Sequence, residues 1–247
     1  LKPLYGDDIS AKQELATELR EACIRVGFFY VKNHGIPYSL MQSVQVQTER
    51  FFALPESVKS RYDIGLINRH RGFVPVGALT AGPDEVPDQQ EGYEIALELP
   101  DDDPDFLAGS KLFGPNVWPK ELPEFQSLVY TYFESVFQLG HKLFGAFALA
   151  LDLPERYFEN ELTKPIAQLR LLYYPPAENR KSEPQMGIGA HTDYECFTIL
   201  WQTEPGLQVQ NRDSEWIEAL PIENTLLINI GDMMMRWTNN LFRSTPH

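Results

Sequence analysis

His191-Thr192-Asp193 places an imidazole and a carboxylate two residues apart, inside Met186-Gly187-Ile188-Gly189-Ala190-His191-Thr192-Asp193-Tyr194 and just ahead of the alternating run Phe197-Thr198-Ile199-Leu200-Trp201. In an extended segment successive side chains point to opposite sides, so His191 and Asp193 project together and Thr192 turns away. One imidazole and one carboxylate on the same side are two members of a facial triad, in which two His and one carboxylate hold Fe(II) and leave the other positions to substrate and dioxygen. The best third candidate is His247, at the end of Asn239-Asn240-Leu241-Phe242-Arg243-Ser244-Thr245-Pro246-His247. Alone the spacing is a weak motif, because a strand-end His bonded to a turn carboxylate has the same sequence, and His with carboxylate also suits Zn. The remaining candidates read as structure: His34 as a turn residue, His141 as lying off the apolar stripe of its helix, Cys23 as a packing group, and Cys196, three residues past Asp193, as a packing group with a ligand role as the alternative.

The elements that must hold these groups follow from pattern. Ser10-Ala11-Lys12-Gln13 reads as a capping box opening a helix over about residues 11–26, which Gly27 stops. Phe28 to Asn33 has the aromatic and β-branched content of a strand, and a second helix is expected over about 39–53. From Arg71 to Leu99 glycine and proline leave only short strands, Gly72 to Val76 and Tyr93 to Leu97. Phe125, Val129, Tyr132, Val136, Leu143 and Phe147 then form one stripe of a long helix reaching about Leu151. Beyond Pro165 come short strand-like runs, Ala167 to Tyr174, Phe197 to Gln202, Leu207 to Gln210, Trp216 to Glu218 and Thr225 to Ile230. Helices first and strands afterwards imply an α+β or mainly β fold, a jelly roll flanked by helices, and no Rossmann or P-loop glycine pattern occurs. The expected division is 1–110, helices and short strands, and 111–247, the long helix with the strand-rich core.

Composition narrows the function classes. A net charge of −14, from 21 basic and 35 acidic residues, would repel a nucleic-acid backbone and an anionic membrane surface, so neither is expected as a partner. No apolar run approaches a membrane span and no secretory leader is visible, although the chain begins at Leu1 rather than Met. Two cysteines give no disulfide framework, which points to a reducing, cytoplasmic setting. The charge and the cysteines say nothing about oligomeric state.

The ordered set Gly27-Phe28-Phe29-Tyr30-Val31-Lys32-Asn33-His34-Gly35-Ile36, Phe51 to Pro55, Gly114 to Pro119, Leu171-Leu172-Tyr173-Tyr174-Pro175-Pro176, His191-Thr192-Asp193, Gly206-Leu207-Gln208-Val209 and Asn229-Ile230-Gly231-Asp232 resembles the isopenicillin N synthase-like Fe(II)/2-oxoglutarate-dependent dioxygenases along nearly the whole chain. The resemblance implies a distorted double-stranded β-helix, iron on His191, Asp193 and His247, 2-oxoglutarate as cosubstrate, dioxygen as oxidant, and a small organic substrate that is hydroxylated or desaturated with release of succinate and CO2. It places Tyr174 near the cosubstrate carboxylate. Strand parity sets Arg170 and Leu172 on the same face, so Arg170 is a second cofactor-binding candidate, while an aromatic packing role for Tyr174 fits as well. Phe197 and Leu207 would wall the pocket. Substrate contacts are expected from the 71–99 region, including Arg71, Gln90, Glu91 and Tyr93, and from Arg236 and Trp237 on the other side. In 2-oxoglutarate users of this family an Arg-x-Ser follows the third ligand, and a first sheet strand precedes Leu1. Both would lie outside these 247 residues, so a fragment is expected. Arg243 and Ser244 precede the His and cannot substitute. The resemblance also admits an oxidase with the same triad that does not use 2-oxoglutarate, or a silent binding module.

Overall fold

A computed structural model describes residues 1–78, 88–176 and 187–247. Met186, in the stretch around His191, and residues 79–87 of the Gly- and Pro-rich region lie outside the described residues. The chain forms two compact units interleaved in sequence: one of Leu1–Ile36, Ser135–Thr163 and Ala190–His247, the other of Pro37–Glu134 and Lys164–Gly189.

The first unit opens with helix α1 (Ile9–Arg25), which buries Ala16, Leu19 and Cys23. Its cap is Asp8 rather than Ser10. The Asp8 carboxylate accepts from the Ala11 N–H at 3.1 Å, so the helix starts two residues before the expected position. Gly27, at φ +78°, turns the chain into strand β1 (Phe28–Val31). A Cβ at Gly27 would collide with the Arg243 carbonyl, so this position requires glycine for space as well as for its backbone angle. The strand ends earlier than its composition suggests because Asn33 takes φ +55°.

The sheet of this unit also holds β5 (Phe197–Leu200) and β8 (Leu226–Ile230), in the antiparallel order β1-β8-β5. β8 is central and buried throughout, so Leu226-Leu227-Ile228-Asn229-Ile230 reads as a continuous apolar run with one polar intruder. The register sets Phe28 and Thr198 on either side of Asn229, and directly opposed residues share a face. A hairpin of β6 (Gln208–Gln210) and β7 (Trp216–Glu218) completes the strands of this unit.

The second unit carries helix α2 (Tyr38–Phe52) and a sheet β2-β3-β4, from Gly72–Val74, Glu91–Ala96 and Gln168–Tyr173. Odd-numbered residues of β3 face an aromatic core in which Phe51 meets Phe73, Tyr93 and Phe125. Even-numbered ones face the other way, and there Glu94 opposes Arg170 and Gly92 opposes Leu172. The long helix α3 (Phe125–Ala150) contributes residues 125–134 to this unit and 135–150 to the first. Within the first unit, Phe144 and Phe147 set their rings edge-on against Phe197. A short helix α4 (Asp232–Trp237) follows β8. None of the described helices is long and apolar enough to cross a membrane.

Candidate metal centre

His191 and Asp193 stand on a segment outside the paired strands, and the expected alternation holds there all the same. Their side chains lie together, His191 Nε2 3.5 Å from Asp193 Oδ1, while Thr192 turns away and donates to Asp232 Oδ2 at 3.1 Å. The third residue arrives by backbone pairing. The His191 N–H donates to the His247 carbonyl at 3.0 Å and the His247 N–H to the His191 carbonyl at 2.9 Å, a reciprocal pair as in an antiparallel ladder. His247 Nε2 then sits 3.7 Å from Asp193 Oδ1.

The groups around this trio fix its orientation. Asp193 Oδ2 accepts from Thr198 Oγ1 and from Asn229 Nδ2 at 2.7 Å, which leaves Oδ1 as the oxygen facing both imidazoles. Those two donors are the residues that the sheet register places side by side. His247 Nδ1 lies 3.2 Å from the Thr245 carbonyl, an acceptor, so Nδ1 carries the proton and the Nε2 lone pair is free. Phe28, opposite Asn229 in the same sheet, sets its ring edge against the His247 ring at 5.1 Å.

Burial opposes ionisation of Asp193. Hydrogen bonds from His191, Thr198 and Asn229 outweigh it and hold the carboxyl well below the usual carboxylate range. Burial also lowers the pKa of His247, with Asp193 and the Thr245 carbonyl partly offsetting it, and this favours the neutral imidazole. One anionic oxygen and two imidazole nitrogens thus converge within 4.8 Å of one another, a donor set that suits a divalent metal. The polar donors behind Asp193 match the outer hydrogen bonds that metal-binding carboxylates require.

The other residues expected to act at a site are spread over both units. Tyr174 follows β4 with 49% of its surface exposed, its ring close against Gly187. Arg170, on the same face of β4, pairs through Nε with Glu94 Oε1 at 3.1 Å. Tyr93 is fully buried, its ring against Phe51 and Phe125 and its hydroxyl donating to the Val117 carbonyl at 2.6 Å. Arg71, Glu91 and Gln90 are buried too, although their sequence context suggests substrate-contacting loops. Arg71 donates to the His70 and Leu112 carbonyls, and Glu91 is salt-bridged to Lys59 at 2.7 Å. In the first unit Phe197 packs between Phe144 and Phe147, Arg236 is exposed in the last turn of α4, and Trp237 stacks on Phe158. Nothing in their sequence roles singles out Thr198, Asn229, Thr245 and Phe28 as supports of the trio. Asn229 alone carries a signal, as a polar residue within a buried apolar strand.

Comparison with known proteins supplies the context. Residues 1–121 match the model of the non-haem dioxygenase in morphine synthesis N-terminal family, and residues 165–247 that of the 2OG-Fe(II) oxygenase superfamily. The chain is 35% identical over 251 residues to the 2-oxoglutarate-Fe(II) type oxidoreductase hxnY of Emericella nidulans, covering 99% of this chain and 72% of that protein. A 2OG-Fe(II) oxygenase family protein of Caulobacter crescentus has a similar structure, with TM-score 0.81 at 33% identity over 99% of this chain and 76% of the other. A Neurospora crassa protein solved at full length in complex with alpha-KG and thymine gives TM-score 0.83 at 30% identity, covering 98% of this chain and 76% of that one.

Proposed function

The chain belongs to the 2OG-Fe(II) oxygenase superfamily, and from that premise we propose that it holds its iron through His191, Asp193 and His247. The family fold is the jelly roll flanked by helices, and the activity is that of a non-haem Fe(II)- and 2-oxoglutarate-dependent oxygenase. Bound together, iron and 2-oxoglutarate supply an oxidising equivalent from dioxygen, with release of succinate and CO2.

The rest is the work of the chain's own side chains. Asp193 Oδ1 offers a charged ligand whose direction is set by the two donors on its other oxygen. His247 offers Nε2 because the Thr245 carbonyl holds the proton on Nδ1. His191 is tied to His247 through the paired backbone, so the two imidazoles keep their spacing without any movement of a loop. Such pre-set geometry lets binding energy act on the substrate rather than on assembly of the site.

Tyr174 and Arg170 we assign to the carboxylate-bearing cosubstrate. What supports this is strand parity, which sets residues 170 and 174 on one side of the chain, and the Arg170 charge, which partly offsets the burial that pushes the Tyr174 phenol up to about 12. The substrate is a small organic molecule, a class supported by the thymine in the Neurospora crassa complex. Of the side chains expected to contact it, Arg236 presents an exposed cation, and Phe197 would contribute only the part of its ring not packed by α3. Tyr93 would act from within the core, through the shape of the sheet that carries it.

The observation that carries the proposal is the convergence of the three donor atoms within 4.8 Å. Asp193→Ala tests it. The variant is expected to purify without stoichiometric iron and to form no succinate from 2-oxoglutarate, and full iron content with wild-type turnover would overturn the assignment.

A further inference from the structure

A cleft of about 320 Å³ in the first unit is lined by Arg25, Val26, Gln210, Asn211, Arg212, Asp213 and Arg243, none of them a member of the candidate ligand set. Its volume falls in the range of small-molecule sites. We propose that this cleft binds a small organic molecule bearing a phosphate monoester, held by Arg25, Arg212 and Arg243.

The three arginines come from distant parts of the chain: the last turn of α1, the turn between β6 and β7, and the segment leading to His247. Among the described residues none of them has a carboxylate within ion-pair distance. The chain as a whole carries 35 acidic residues and a net charge of −14, so three cations gathered around one cleft run against the overall balance. Asp213 is the one acidic group on the lining and Glu215 stands behind it, bonded to Asn211 Nδ2 at 2.9 Å, so the three arginines leave a net positive charge suited to a phosphate monoester.

Two of the arginines are tied to the fold, Arg212 through its guanidinium and Arg243 through its backbone. Arg212 donates from Nε to the Arg25 carbonyl at 3.1 Å and from Nη2 to the Ile24 carbonyl at 2.9 Å, which caps the end of α1 and fixes the plane of the guanidinium. Its turn is braced by Asn211, whose Oδ1 accepts from the N–H groups of Asp213 at 2.8 Å and Glu215 at 2.9 Å. Arg243 donates its N–H to the Cys23 carbonyl at 2.9 Å, and its own carbonyl packs against Gly27. A guanidinium already held by carbonyls, as that of Arg212 is, loses little freedom on binding, and guanidinium groups match the oxygens of a phosphate. Val26, 45% exposed, offers apolar surface for the organic part, for which the cleft has room beyond the phosphate itself.

Isothermal titration of the full-length protein with glycerol 2-phosphate and with inorganic phosphate, at low ionic strength, tests the site. The expected result is saturable one-site binding of the monoester, at least as tight as inorganic phosphate. It should weaken tenfold or more in Arg25→Gln and in Arg243→Gln with unchanged circular dichroism, and persist in His191→Ala. Equal binding by wild type and both arginine variants, or no binding, would overturn the proposal, and so would binding that is lost in His191→Ala. Binding of inorganic phosphate but not of the monoester would overturn the ligand class.

Discussion

Replacing Asn229 by Ala removes the Nδ2 donor 2.7 Å from Asp193 Oδ2 while leaving the imidazoles and Asp193 in place. Asn229 is 2% exposed, so water cannot readily take over. A hydrogen bond to a charged group contributes about 1.5–3 kcal/mol, and loss of an outer-shell partner typically costs about 10–100-fold in metal affinity. Thr198 still holds the same oxygen, so the carboxylate is loosened rather than released. Metal affinity should therefore fall about tenfold in Asn229→Ala, close to 1.4 kcal/mol, and toward a hundredfold when Thr198→Val is added. Anaerobic competition titration with Fe(II), or with Mn(II) as an air-stable surrogate, measures this directly, and circular dichroism checks that β8 still folds. Wild-type metal affinity in the folded double variant would refute the claim that these two donors orient Asp193.

Gly27→Ala should destabilise the protein by several kcal/mol in a urea melt, because φ +78° and the Arg243 carbonyl both exclude a side chain. It should also weaken metal binding through the segment ending at His247. Tyr93→Phe should cost about 1 kcal/mol for the bond to the Val117 carbonyl, with kcat/KM unchanged, and a large loss of turnover in a stable variant would instead make Tyr93 a direct substrate contact. Burial pushes the Cys23 thiol up to about 12 and Cys196 up to about 11, so neither should react with iodoacetamide at pH 8 in the folded protein, and mass spectrometry should find both alkylated only in urea.

The pair His191 and Asp193 was legible in the sequence because its logic is local, whereas His247 reaches them only through a backbone pairing far along the chain. A period of two sets His191 beside Asp193 whether or not the segment pairs as a strand. The strands beyond Pro165 were legible for the same reason, and β4, β5, β7 and β8 fall within a few residues of their expected limits. What holds Asp193 was not, because Thr198 and Asn229 meet only through the pairing of β5 with β8, a register that no local window contains. The cap of α1 shows the limit of a motif: Ser10 fits the capping-box pattern, but Asp8 reaches the Ala11 N–H first. The 71–99 region misled in the opposite direction. Its polar residues looked like loop groups, yet Arg71 and Glu91 find partners far along the chain, in the Leu112 carbonyl and in Lys59, and those bonds permit their burial.

Ligation of the iron by His191, Asp193 and His247 is the proposal on which the site rests. Its most direct test is anaerobic titration of the full-length protein with Fe(II) and then 2-oxoglutarate, following the visible metal-to-ligand charge-transfer band. The expected result is a band that saturates with 2-oxoglutarate in the wild type and is absent in His191→Ala, Asp193→Ala and His247→Ala, each folded by circular dichroism. A band of wild-type intensity and affinity in any of the three would contradict it.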